Sequence, residues 1–241
     1  MTLEVKNLVK IFNRRKVLNN ISFKVQNGQT LGVVGFSGSG KSTLLKIISG
    51  ILDSDGGEVI YPEGADIAMA FQYSALFDFL NVYDNIAFPL LERKDLRGKY
   101  TKQQIDEIVK EKLQMVGLGG IEEKYPSELS GGMQKRVGFA RAIVTNPQII
   151  LYDEPTAGLD PVTSTLIEDY IVQLKKDLNA SCVVVTHQLS TIKRAVDNVI
   201  MLYQGNVVFE GSVSDLLSGK NEYARQFVSA AIDGPMNIAS K

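Results

Sequence analysis

Apolar positions alternate with polar ones over Leu3 to Val9 and again over Ile21 to Val25, which predicts two half-buried strands. After the Asn27-Gly28 turn the pattern changes. Leu31 to Val34 is continuously apolar, as expected of a central strand covered on both faces. Lys41 to Ser49 reads as a helix closed by Gly50, and Ile67 to Phe71 as a second buried strand. Beyond Phe71 the period becomes helical. Thr101-Lys102-Gln103-Gln104 is a capping box, followed by Ile105, Ile108, Val109, Leu113 and Val116 at helical spacing and stopped by Gly117. A second helix follows Ser130, with Met133, Val137 and Ala140 on one face. Residues 73–146 are therefore expected to form a mainly helical insert. Strand character returns at Ile149 to Tyr152, Cys182 to Thr186 and Val199 to Tyr203, with a helix after Pro161. Gln204-Gly205 marks a hairpin turn into Val207 to Phe209, and residues 220–241 form a tail.

These elements predict an α/β protein with a parallel central sheet, an antiparallel β layer at the N-terminus and an inserted helical subdomain, all within one domain spanning 1–241. Composition narrows the class. Of 241 residues, 44% are hydrophobic and 22% charged, which is ordinary for a soluble globular chain. The 26 basic and 27 acidic residues nearly cancel, so nothing points to nucleic acid. One cysteine, Cys182, excludes an internal disulfide and fits a reducing, cytosolic compartment. No apolar run approaches a membrane span, and the charged, alternating start is not a signal peptide. Work at a membrane would require another chain to hold this one there.

The chemistry gathers at strand ends. GFSGSGKS, Gly35 to Ser42, lies between a buried strand and a helix, with the spacing of a phosphate-binding loop. Its glycines let backbone N–H groups approach phosphates, and the helix start adds partial positive charge. Gly35, Ser37, Gly38, Ser39, Gly40, Lys41, Ser42 and Thr43 are the candidate phosphate cradle. Lys41 is expected to bridge β- and γ-phosphates and Ser42 to coordinate Mg²⁺. Asp153 ends the strand IILYD and is expected to hold Mg²⁺ through water, while Glu154 polarises the attacking water. Gln72 and the single histidine, His187, also follow apolar strands, so both can reach the same sheet edge. His187 would hydrogen-bond the γ-phosphate and the water, and Gln72 would add to the metal and catalytic set. Ser130, Gly131 and Gly132 start a helix. Capping and phosphate binding use the same geometry there, so spacing leaves both readings open. Phe12 is read as stacking on adenine from the N-terminal layer.

This ordered set resembles the nucleotide-binding subunit of ATP-binding cassette transporters. It includes an aromatic Phe12 loop, the Walker A segment at Gly35 to Ser42, Gln72, the signature Leu129 to Met133, Walker B at Ile149 to Glu154, the D-loop Ala157 to Asp160 and the switch His187. The resemblance covers nearly the whole chain. It implies the fold of that family, a P-loop NTPase core, and ATPase activity with ATP and Mg²⁺. It also implies a head-to-tail homodimer in which Walker A of one copy faces the signature of the other, with Asp160 across the dimer. Met133 stands where glutamine is common, and Ala157-Gly158 where Ser-Ala is common; neither change removes a phosphate ligand.

A narrower resemblance is to the ATPase of Mla/MCE-type phospholipid transport systems. It rests on Phe71 to Leu90, on LSGGMQKRV and LYDEPTAGLDPV, and on the ending FEGSVSDLL, YARQFV and DGPM. It implies membrane permease partners, with an MCE-domain protein and a small regulatory subunit, and a peripheral place on the cytoplasmic face of the inner membrane. Ser74 to Phe79 reads either as helical-subdomain core or as a groove for a helix of the permease. Tyr223, Phe227 and Val228 read as tail anchors with little means of burial in their own chain, which makes the tail a candidate partner surface; the alternative is a tail that packs on its own domain. A transport ATPase for another cargo, or one in a cell-division complex, shares the same motifs.

Overall fold

The computed structural model describes residues 2–72 and 74–237. Strands β1 (Thr2–Phe12) and β2 (Arg15–Gln26) pair antiparallel, with Leu3 opposite Val25 and Val5 opposite Phe23. Their alternation buries Leu3, Val5, Ile21, Phe23 and Val25 on one face. The chain then crosses into the main sheet as β3 (Thr30–Val34), fully buried along its length, and enters α1 (Lys41–Ile48). Strand β4 (Gly56–Ile60) returns to β1, pairing Val59 with Val5. Its sequence, GGEVI, has too little alternation to announce a strand, so it is the partner strand that makes it one. Next come β5 (Ile67–Ala70), α2 (Val82–Glu92), α3 (Lys102–Met115), a single 3₁₀ turn at Pro126–Glu128 and α4 (Gly131–Ile143). The chain continues through β6 (Ile149–Asp153), α5 (Pro161–Leu178), β7 (Ser181–Val185) and α6 (Leu189–Ala195). It ends with β8 (Asn198–Tyr203), β9 (Asn206–Ser212), α7 (Val213–Leu217) and α8 (Glu222–Ser229).

The main sheet has the order β5-β6-β7-β3-β8-β9, parallel except for the hairpin strand β9. The first strand of this sheet in the chain sits near its middle. The loop after β3 therefore opens beside the ends of β7 and β8, with β6 one strand further on, where carboxyl ends of parallel strands meet. Each face of the sheet has its own core. On one face Ile149, Leu151, Val183, Val185 and Ile200 pack with α1 and the small antiparallel sheet. On the other, Ile150, Tyr152, Val184, Val199 and Met201 pack with the helices. Burial on both faces is why these strands read as continuous apolar runs.

The capping box at Thr101 forms as expected: Thr101 accepts from the Gln104 N–H, and the Gln104 side chain accepts from the Thr101 N–H. Helices α2 and α3 lie against α4 within the inserted stretch. Tyr73, the first residue of the expected insert, lies outside the described residues. The tail expectation is corrected. Tyr223, Phe227 and Val228 pack on the chain's own core, where Ala224 and Met236 are fully buried. The ring of Tyr223 lies 6.0 Å from that of Tyr203. The last four residues of the tail, 238–241, lie outside the described residues.

Candidate functional site

A cleft of about 780 Å³ opens at the carboxyl ends of β3, β5, β6 and β7. The phosphate loop forms part of its wall through Gly35, Ser37, Gly38, Gly40, Lys41, Ser42 and Thr43. Its tight course needs glycine at two places above all. Gly35 has φ +142°, and a Cβ there would collide with the Leu202 carbonyl oxygen. Gly40 has φ +103°, and a Cβ would meet the Val17 carbonyl at 2.8 Å. Ser39 turns inward instead: its N–H donates to Phe36 O at 3.2 Å and its buried Oγ has no protein partner. It is thus part of the loop but not of the cleft lining, unlike the expectation for that residue.

The Lys41 ammonium donates to the carbonyls of Gly35 at 2.8 Å and Phe36 at 3.0 Å. Two of its three donors curl the loop around it, and one remains for a ligand. Burial holds its pKa below the ordinary lysine value, while the nearby Glu154 and Asp153 carboxylates oppose that shift. Ser42 Oγ donates to Asp153 Oδ1 at 3.2 Å. Burial raises the Asp153 pKa; the Ser42 hydroxyl and Lys41 pull it down, and the Glu154 charge adds to the rise.

Glu154 follows β6 with φ +48°, an uncommon conformation for a residue with a side chain. Its N–H donates to Val185 O at 2.9 Å, which ties this turn to the end of β7. Its Oε1 lies 2.9 Å from His187 Nδ1, so a Glu154 carboxylate makes Nδ1 the donor and fixes the ring. Glu154 Oε2 is buried and without a protein partner. A buried, unpaired carboxylate oxygen is costly unless it serves a ligand or water. Gln72 and Phe12 also line the cleft, as does His187. The Lys10 ammonium sits 5.3 Å from the Phe12 ring centre.

The set fits magnesium in a limited way. Ser42 and Gln72 line the cleft, and Asp153, which is not part of the lining, lies behind Ser42 at 3.2 Å; together they offer hard oxygen donors, as Mg²⁺ prefers. Among the described residues no cluster of three or more histidine, cysteine or carboxylate side chains could cage an ion alone. A magnesium ion here would need phosphate and water oxygens to complete its shell.

Ser130, Gly131, Gly132 and Asp160 do not reach this cleft. Ser130 caps α4, accepting from the Met133 N–H at 3.3 Å. Asp160 caps α5, accepting from the N–H groups of Val162 and Thr163, each at 3.0 Å. The two helix starts adjoin: a Cβ on Gly132 would lie 3.1 Å from Thr163 Cγ2. Lys135 of α4 donates to the carbonyls of Pro155 and Ala157. One chain thus carries a phosphate-loop cleft and, elsewhere, an exposed pair of helix starts.

Ser74 to Phe79 is divided between its two readings. Leu76 packs on the core, while Phe79 is 77% exposed. A second hollow of about 340 Å³ lies among Phe71, Phe77, Phe88, Pro89 and Arg141. Sequence reasoning missed five residues of the main cleft: Val17, Phe36, Phe227, Ala230 and Ala231. Phe36 lay within a recognised motif; the others are apolar residues with no chemical signal of their own.

Residues 18–157 match the family model described as ABC transporter. The chain is 41% identical to the chloroplastic protein TRIGALACTOSYLDIACYLGLYCEROL 3 of Arabidopsis thaliana, over 97% of this chain and 75% of that protein. It is 37% identical to the probable ribonucleotide transport ATP-binding protein mkl of Mycobacterium leprae, over 100% of this chain and 72% of that protein. A methionine import ATP-binding protein, MetN of Carboxydothermus hydrogenoformans, is 37% identical over 90% of this chain and 67% of its own length. Among solved structures, the ATP-binding cassette MJ0796, a dimer in a post-hydrolysis state bound to ADP and phosphate, superposes with a TM-score of 0.79. It is 30% identical, with 88% of this chain and 98% of that chain covered. The cbiO1 subunit of Clostridium perfringens, part of the cbiONQ complex, gives a TM-score of 0.80 at 27% identity, with 91% of each chain covered.

Proposed function

Because this chain belongs to the ABC transporter family and is an ATPase, we propose that it closes head-to-tail with a second copy on ATP and so drives a membrane permease. One observation carries the reading: the Ser130–Gly132 and Asp160 helix starts stand apart from the cleft lined by Lys41, Ser42 and Glu154. A second copy can bring its Ser130 turn to the phosphates that the first copy's loop holds, joining two half-sites. The dimeric state of the MJ0796 cassette supports this arrangement.

In that closed site the N–H groups at the start of α1 and the third donor of Lys41 bind the β- and γ-phosphates. Glu154 takes the proton of the attacking water, and His187, oriented by Glu154 Oε1, hydrogen-bonds the γ-phosphate. Ser42, Gln72 and Asp153 would hold a Mg²⁺ ion, which would offset the phosphate charge. Phe12 stacks on adenine, and Asp160 couples the two sites across the dimer.

Phospholipid is the proposed cargo. The Phe71 to Leu90 pattern supports it, and a relative named for trigalactosyldiacylglycerol supports a diacylglycerol lipid, though one whose head group is sugar and not phosphate. The hollow beside Phe71, Phe77 and Phe88 suits an apolar helix from the permease. Among the described residues no helix is long and apolar enough to cross a membrane, so the permease would hold the chain at the cytoplasmic face of the inner membrane. An MCE-domain protein and a small regulatory subunit complete the proposed assembly, with no nucleic acid. The names of other relatives refer to ribonucleotide and methionine, and these are the competing cargoes.

Glu154→Gln tests the catalytic half. It is expected to bind ATP, lose about 100- to 1,000-fold in hydrolysis and accumulate as a dimer on size exclusion. Near-normal turnover, or a monomer with ATP bound, would refute the closing mechanism. Purification with the permease followed by lipid analysis tests the cargo; an assembly without enriched phospholipid leaves transport of something else.

A further inference from the structure

Part of the cleft's lining is apolar and is not used by the phosphate chemistry. Phe12 of β1 and Val17 of β2 supply one part of it. Phe227, Ala230 and Ala231, more than 200 residues later in the chain, supply another. We propose that the turn after α8 is a wall of the nucleotide site, and that a purine base enters between it and the N-terminal sheet. This rests on the nucleotide reading above and adds a second surface to the Phe12 stack.

The turn is built rather than draped. Asn221 caps α8 by accepting from the N–H groups of Tyr223 and Ala224, and its own amide donates to Val208 O of β9 at 3.3 Å. At the other end Ala230 adopts φ +52°, and its N–H and that of Ala231 close back on Phe227 O and Gln226 O. Such helix ends usually take glycine, and alanine there stores strain. The buried Gln226 amide locks the turn. Its Nε2 donates to Met236 O at 3.0 Å and its Oε1 accepts from Met236 N–H at 2.8 Å. Nε2 also reaches the carbonyls of Ala231 at 3.4 Å and Ile232 at 3.3 Å. Asn237 N–H then donates to Tyr203 Oη at 2.9 Å, pinning the segment to β8. Phe227, Ala230 and Ala231 are thereby held in the wall of a cleft that also carries Lys41 and the phosphate loop. A purine face is large, planar and apolar, and it fits such a surface.

Calorimetric titration of the full chain with ATP and with inorganic tripolyphosphate separates base from phosphate binding. The wild type is expected to bind ATP more tightly than tripolyphosphate. Ala231→Gln, which puts an uncharged polar group on the wall, is expected to weaken ATP roughly five- to tenfold while tripolyphosphate binds as before. Phe227→Leu keeps an apolar side chain but removes the ring, and is expected to weaken ATP less, again with tripolyphosphate unchanged. An unaltered ratio of the two affinities in both variants overturns the wall, whether both ligands bind normally or both are weakened in step. A wild type that binds tripolyphosphate but gains nothing from the base also overturns it. A wild type that binds neither ligand overturns the nucleotide reading itself, and the wall with it.

Discussion

Asp153 is a buried carboxyl whose charged form is less favoured than it would be in water. Its burial raises its pKa above the ordinary 3.8, against the pull of the Ser42 hydroxyl and Lys41. A carboxyl with a folded pKa above its unfolded value adds stability below the unfolded value, and that stability is lost as pH rises through the folded pKa. At neutral pH Asp153 is therefore a burden on the fold. Asp153→Asn keeps an oxygen for the Ser42 hydroxyl and removes the charge. Its melting temperature should exceed that of the wild type at neutral pH by a few degrees, and the gap should close as pH falls toward about 4. Thermal melts across that range check this, and a gap that widens in acid would contradict it. The same variant should lose metal-dependent ATP turnover, so stability and function move in opposite directions. Residues of this kind are legible in sequence because they come as local motifs: a loop spacing, an acidic pair, a histidine after an apolar strand. Ala230 and Ala231 carry no such sign, because an alanine becomes part of a site only through the fold that places it.

At the scale of elements, α4 begins with one hydroxyl that serves two readings. Ser130 accepts from the Met133 N–H, which by itself accounts for a serine at that position. Ser130→Asp distinguishes the roles. Aspartate caps as well as serine and suits the positive end of the helix, so stability should stay within about 0.5 kcal/mol of the wild type. If the helix start meets phosphate from a second copy, the added charge should abolish the ATP-dependent dimer that Glu154→Gln traps. Chemical denaturation and size exclusion give the two readouts, and a dimer that persists would leave Ser130 as a cap alone. Elements were legible where local signals agree with tertiary demand. Thr101 and Gln104 announced α3 through their own side chains. Strand β4 was not legible: Gly56 and Gly57 disfavour a strand, and only pairing with Glu4 to Lys6 of β1 makes one. The tail misled for a related reason. Its apolar residues looked unpartnered along the chain, yet Met236 finds its place in the core through Gln226.

On the scale of the whole molecule, the layered class, the parallel order and the antiparallel cap followed from where alternation gave way to continuous apolar runs. The closing of the cleft by the two ends of the chain did not follow, since no periodicity relates Phe12 to Phe227. The two-faced burial of the main sheet has one more consequence, and it concerns time. With a core on each side, the amides of β3, β6 and β7 have no route to solvent short of breaking both cores. The site's walls hang on this slab but open separately: the phosphate loop, the Glu154 turn and the α8 turn are surface segments joined to it at strand ends. Deuterium uptake should therefore divide into two clocks. Amides of β3, β6 and β7 should exchange only with global unfolding, while those of the loop and the α8 turn should exchange far sooner and slow when ATP binds. Early uptake in β7 would mean that the slab itself breathes during the cycle, and that the motion reaching the permease begins at its centre.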